Sequence, residues 1–206
     1  MTFEGFVKQD FETFYIDGLE ERMEAIQTRI QPKFKEISEA IIDHLSDITN
    51  YDMHLHIAKH ARRTVNPPQD TWSAYCHNKR GYKKHPHFQI GLFDDHLFIW
   101  LAYIYELPNK QAIAKTFLDN IDDIERNIPN DFVVSLDHTK KDAAPIAEVD
   151  LTKALERLEN VKKAEFLIGR HIKVDDPILT DGDALISKIK ETFETLTPLY
   201  KLSMND

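Results

Sequence analysis

Apolar positions in the first fifty residues recur at intervals of three and four. Leu19, Met23, Ile26 and Ile30 make one such stripe after Asp17-Gly18, and this spacing predicts an amphipathic helix. Pro32 suits the first turn of a second helix, whose face is Phe34, Ile37, Ile41, Leu45 and Ile48. A weaker pattern over residues 10–14 predicts a short helix ahead of both. Near residue 53 the period drops to two. Met53, Leu55 and Ile57 alternate with His54, His56 and Ala58, the signature of a strand with one apolar face. A loop over residues 62–70, punctuated by Asn66-Pro67-Pro68, leads to a second strand at 72–77 and a charged turn at 78–84 around Gly81. Residues 87–93 and 96–105 read as two strands joined at Asp94-Asp95. The second is apolar on both faces, which fits a central strand covered on both sides and equally a strand in a subunit interface.

The remainder alternates helix and strand. Pro108-Asn109 opens a helix with Ile113, Phe117, Ile121 and Ile124 on its face. A strand is expected over 131–137, and the stretch 138–150 has no period and reads as a surface loop. A helix follows through Leu151, Leu155, Leu158 and Val161, then a strand over 165–174. Thr180 with Asp183 reads as a capping box for the last helix, striped by Leu185, Ile189, Phe193 and Leu196. With no repeat and no flexible linker, the chain reads as one α+β domain over residues 1–206. The expected architecture is a two-layer α/β sandwich, a mostly antiparallel or mixed sheet of about six strands with helices packed against it. The helical stripes belong to its core, because amphipathic faces bury.

Composition adds boundaries. A chain of 206 residues that is 42% hydrophobic carries enough apolar material for one core without disulfides or a structural metal. One cysteine, Cys76, excludes an internal disulfide framework and fits a reducing compartment. The leading residues lack a basic start followed by an apolar run, so no secretory signal is read there. The longest apolar run, 97–105, is too short to span a bilayer. The expectation is a cytoplasmic protein with no membrane partner.

Charge changes the picture more. The net charge is −9, yet residues 53–90 hold seven cations against the single carboxylate of Asp70, a local +6 that leaves −15 for the rest. Six of the ten histidines lie in the same stretch. A basic island on an acidic body points to an anionic ligand, or else to one end of a dipolar surface. Within it, Arg62, Arg63, Arg80 and Lys83 supply bidentate and point-charge contacts for phosphate, and Trp72 and Tyr82 supply flat walls. His56 and His60 are the hydrogen-bonding candidates. The partners expected are an anionic small molecule or nucleic acid, and the acidic remainder disfavours a long polyanion.

Three other readings draw on the same residues and their neighbours. His54 and His56, two apart on a strand, project from one face and with His85, His87, Asp94 or Asp95 would make a metal-dependent hydrolase. A solvent-facing strand satisfies the same pattern, and no CxxC or HExxH supports the metal. Ser135, Asp137 and His138 supply triad residue types without triad geometry, since His138 falls on the opposite strand face. Finally, a homo-oligomer or interaction module without catalysis would also use an exposed apolar strand and charged patches. No cofactor and no catalytic residue is assigned.

Several long strings also carry a family resemblance. They are His56-Ile57-Ala58-Lys59-His60-Ala61-Arg62-Arg63, Asn66-Pro67-Pro68, Asp70-Thr71-Trp72, Arg80-Gly81-Tyr82-Lys83 and Pro86-His87-Phe88-Gln89-Ile90-Gly91-Leu92-Phe93, followed by Val134-Ser135-Leu136-Asp137-His138 and Val161-Lys162-Lys163. Through these the chain resembles, over nearly its whole length, the YktB-like family of uncharacterised proteins from Gram-positive bacteria. The resemblance implies a compact two-layer α/β arrangement similar to the antiparallel sheet with helices of biotin ligases. It brings no activity, and fold similarity alone does not supply one. It favours His56, His60, Arg62 and Arg63 over His54.

Overall fold

In the computed structural model, which describes residues 3–204, the N-terminal stripes become a nearly continuous helical rod. A short helix α1 (Lys8–Glu12) is closed by Asp10, whose carboxylate accepts the Val7 N–H at 2.7 Å and pairs with Lys33. Helix α2 (Leu19–Ala25) starts after Gly18, whose φ of 87° is a conformation that residues with a side chain rarely adopt. It runs through a π-helical turn, Ile26–Ile30, directly into α3 (Gln31–Thr49). The two helices expected from the pattern are thus joined without a loop. Pro32 sits in the first turn of α3, and Asn50 ends it in the left-handed conformation.

Seven strands follow in a single sheet, one more than expected: β1 (His54–Ile57), β2 (Thr71–Cys76), β3 (His87–Leu92), β4 (His96–Tyr103), β5 (Val133–Ser135), β6 (Ala144–Pro145) and β7 (Phe166–Lys173). Their order is β1-β2-β3-β4-β7-β5-β6, and every pairing is antiparallel. The doubly apolar strand β4 is the central one, and all eight of its residues are buried. Between the strands lie α4 (Lys110–Asp119), α5 (Ile121–Asn127) and α6 (Leu151–Asn160), and α7 (Gly182–Ser203) closes the chain.

The sheet has two unlike faces. Leu97, Ile99, Leu101 and Tyr103 of β4 join Phe88 and Ile90 of β3 in the main core, against the apolar faces of the helices. The reverse face buries a smaller cluster built on Phe93, Phe98, Trp100, Ala102, Ile104 and Leu167, to which no helix contributes among the described residues. A two-layer α+β fold in one continuous sheet is the result. Among the described residues no helix is long and apolar enough to cross a membrane.

Three expectations need correction. The helix after Pro108 breaks at Asn120, whose side-chain amide donates to the Thr116 carbonyl, so α4 and α5 are separate although their apolar stripe stays in phase. The stretch 138–150 is no plain loop: Val133 and Val134 pair with Pro145 and Ala144, and a 3-10 turn (Ile146–Glu148) follows. The last helix is capped by Asp181, which accepts the Ala184 N–H, and not by Thr180, whose hydroxyl bonds the Pro177 carbonyl.

Candidate functional site

The antiparallel register places His54 opposite Cys76, His56 opposite Ala74, and Trp72 opposite Gly91. These side chains therefore share the helix-free face with His87 and Gln89, because alternate residues of a strand share a face. The connections at the two ends of the β1–β2 hairpin, residues 58–70 and 77–86, approach one another over that face. Between them lies an open cavity of about 960 Å³. Two hydrogen bonds fasten its walls. Nε2 of His56 reaches the Asn78 carbonyl at 3.0 Å, and Nε1 of Trp72 donates to the Tyr82 hydroxyl at 3.1 Å. The Tyr82 ring packs on His56 and His87, and His60 meets the Trp72 ring edge-on.

His56, His60, Arg62, Arg63, Trp72, Arg80, Tyr82 and Lys83, all singled out from the sequence, line this one cavity, with Lys59 and Lys84 beside them. No aspartate or glutamate lines it among the described residues. Lys83 reaches Glu106 at 3.8 Å, and the other five cations form no ion pair among the described residues. The guanidinium of Arg63 holds only the Asn66 carbonyl, at 3.4 Å. The electrostatic character of the cavity is therefore set by unneutralised cations at its rim.

The histidines divide by role. Burial lowers the pKa of His56, and the hydrogen on its Nε2 is already given to Asn78, so Nδ1 of the neutral ring is an acceptor. The one hydrogen that neutral His56 could donate is thus spent inside the protein. His60 sits at the junction with a φ of 49°, a left-handed conformation uncommon outside glycine, and burial brings its pKa to about 4. Its Nε2 contacts the Thr71 hydroxyl at 3.1 Å, since strand β1 ends at Ile57 and does not carry His60 onto the His54 face. His87 is wholly buried and internally satisfied. Nδ1 donates to the His85 carbonyl, Nε2 accepts from Gln89, and burial lowers its pKa to about 4. Nothing of His87 is left for a metal. Asp94 and Asp95, the other ligands considered for His54 and His56, are paired with Lys141 and His96. Cys76 is buried and its thiol is pushed up to about 11, in keeping with a small core residue.

A second cavity of about 330 Å³ adjoins the first, sharing His60, Arg63 and Trp72 as walls. Asp70, Gln69, His138 and Thr139 complete it. The Ser135–Asp137–His138 reading fails here, because His138 turns to a carboxylate from another strand end. Its Nδ1 lies 2.8 Å and 2.9 Å from the two oxygens of Glu165, and Glu165 also accepts the backbone N–H groups of His138 and Tyr105. Burial opposes charge on His138, yet the Glu165 bond, with Asp70 and Asp137, carries its pKa above the usual value. Asp70 is only 7% exposed, and burial raises its carboxyl to about 6 against the opposing pull of His138 and Arg63.

Asp137, His138 and Glu165 offer ligand atoms within 4.8 Å of one another, the one such group of three among the described residues. These atoms are already used. Glu165 holds three N–H donors, and Oδ1 of Asp137 accepts the N–H and hydroxyl of Thr139. The group is a hydrogen-bonded corner that orients His138. The sequence signal for this corner was slight. Asp70 stands out only as the lone acid of the basic stretch, and Glu165 lies 27 residues beyond His138.

Comparison with known proteins agrees with the resemblance read from the sequence. A family described as "Domain of unknown function (DUF1054)" matches residues 6–200. A UPF0637 protein of Oceanobacillus iheyensis is 62% identical over 202 residues, covering 98% of this chain and 97% of the relative. One from Shouchella clausii is 60% identical over 204 residues, covering 99% and 97%. A UPF0637 protein of Listeria monocytogenes is 49% identical over 204 residues, covering 99% of this chain and all of the relative.

Proposed function

The chain belongs to the DUF1054 family, and from that premise we propose that it binds a phosphorylated or otherwise anionic ligand in the cavity between the two hairpin connections. One observation carries the reading: a cavity of about 960 Å³ is rimmed by Lys59, Arg62, Arg63, Arg80, Lys83 and Lys84 with no carboxylate among its lining residues. Its size is that of a small-molecule pocket. Arg62 and Arg63 would take the anion bidentately, Arg80 and Lys83 would add charge from the facing connection, and Trp72 with Tyr82 would bound a flat group. His60, neutral near pH 7, would contribute a directional hydrogen bond without charge, and His56, its one hydrogen held by Asn78, would serve as wall and as acceptor for a ligand hydroxyl.

Calorimetry with inorganic pyrophosphate as probe tests the reading. Affinity should fall as salt rises from 50 to 200 mM (roughly one Debye length at such strengths is 10 Å). The double variant Arg62→Ala/Arg63→Ala should lose at least about tenfold, one charge-assisted hydrogen bond being worth roughly 1.5–3 kcal/mol. Heat of binding that is absent, or indifferent to both salt and the double variant, would overturn it.

A further inference from the structure

We propose that Asp70 and His138 form an acid–base pair that hydrolyses a phosphate ester whose phosphate is held by the neighbouring cations; this rests on the anion-binding reading. The two cavities share Arg63, His60 and Trp72, so a phosphate ester held by Arg63 reaches into the smaller cavity, whose wall carries both Asp70 and His138. That smaller cavity is polar and has room for a water molecule beside the phosphoryl group.

The case stands on geometry. Asp70 is 7% exposed and lines the cavity; among the described residues its side chain makes no ion pair and no hydrogen bond beyond its own backbone N–H, and only the more distant charges of His138 and Arg63 favour its ionised form. A buried carboxylate is normally paired, because an unpaired one is costly. An aspartate kept here without a direct ion pair or side-chain hydrogen bond is therefore unexplained by packing, whereas facing a ligand explains it. His138 has the opposite character, being over-determined. Glu165 takes its Nδ1 hydrogen and its backbone N–H, which fixes the ring and leaves Nε2 for the cavity. Each of the pair also biases the other's protonation, Asp70 favouring the charged imidazole and His138 the charged carboxylate. Two titratable groups tuned towards neutrality in one cleft are the usual marks of acid–base chemistry.

The step balances without another reactant. With the phosphoryl group lying between the two side chains, the Asp70 carboxylate takes a proton from water as the water oxygen bonds to phosphorus opposite the ester oxygen. The bond from phosphorus to the ester oxygen breaks, and the proton on Nε2 of protonated His138 goes to that leaving oxygen. Products are an alcohol and a phosphate, and proton transfer from Asp70 back to His138 restores the pair. Arg63 steadies the charge that builds on the phosphoryl oxygens. Glu165 is a positioning residue.

The test uses bis(p-nitrophenyl) phosphate and p-nitrophenyl phosphate from pH 5 to 8, read as nitrophenolate release, alongside calorimetry with inorganic phosphate. Turnover of either ester by the intact protein is expected, with a bell-shaped profile. Asp70→Asn and His138→Gln should each cut kcat by about 100-fold or more while phosphate affinity is retained. Glu165→Gln should shift the limb due to His138 to lower pH, a change that a merely structural role would not cause. Protein that binds phosphate but releases no nitrophenolate overturns the pair and leaves the binding reading standing. Protein that neither binds nor hydrolyses overturns both. Turnover unaffected by Asp70→Asn, with the variant shown folded by circular dichroism, also overturns the pair.

Discussion

Replacing Asp70 by asparagine should make the protein more stable at neutral pH, although it removes a charged group conserving the shape of the site. An aspartate in the unfolded chain loses its proton near 3.8, and the folded one near 6. Between those values the folded state holds the extra proton, so this group's contribution to stability falls as pH rises and is fully lost above about 6. The gap is roughly two pH units at about 1.4 kcal/mol each, which puts the penalty on the order of 3 kcal/mol at pH 7.5. Solvent screening removes little of it, because the side chain is only 7% exposed. Asparagine keeps the shape and never ionises. Urea unfolding of both proteins at pH 4 and pH 7.5 should show a gain of about 3 kcal/mol at the higher pH and little difference at the lower. An asparagine variant no more stable than the parent at pH 7.5, or equally favoured at both pH values, would refute the burial argument. Such a cost is tolerated where function requires the group.

Two further substitutions probe the frame. Lys110 is buried, and its ammonium donates to the carbonyls of Val161, Lys162 and Ala164 at 2.6–3.0 Å, closing the segment beyond α6. Lys110→Met should cost about 3 kcal/mol, since three carbonyls lose a charged donor, and should lower Tm by roughly 6–12 °C for a chain of this size; an unchanged melting curve would contradict it. Gly169 lies in β7 with the space for a Cβ filled by the Ile99 carbonyl of β4. Gly169→Ala should cost upwards of about 2 kcal/mol, read as a lower urea midpoint, because backbone rather than a flexible side chain must move.

The elements were legible where the period was clean. Alternation at Met53, Leu55 and Ile57, and the doubly apolar run from Leu97, located β1 and the central β4 with nearly correct ends. The break at Asn120 was hidden because Ile113, Phe117, Ile121 and Ile124 stay in phase across it. A π turn at Ile26–Ile30 likewise leaves the stripe intact, and the two-residue β6 is too short to carry a period. For the larger cavity, the residues gathered are nearly contiguous in the chain, so composition alone drew the eye to them. For the smaller one, Asp70, His138 and Glu165 come from three separate regions, and only the antiparallel closure of β5 against β7 brings the last two together. Periodicity reports which face a residue takes; it is silent on which distant residue stands opposite.

The position of β7 sets the order in which the protein can be made. It lies between β4 and β5, pairing with β4 along its full length from His96–Lys173 to Tyr103–Phe166. A growing chain therefore completes β1 to β4 long before β7, the second partner of β4, leaves the ribosome. Until residue 173 emerges, the most apolar strand of the protein has a bare edge, and the small β5–β6 pair has no sheet to join. Bare apolar edges recruit other chains. Chains cut anywhere before β7 should therefore aggregate, and this protein's vulnerable interval falls late in synthesis.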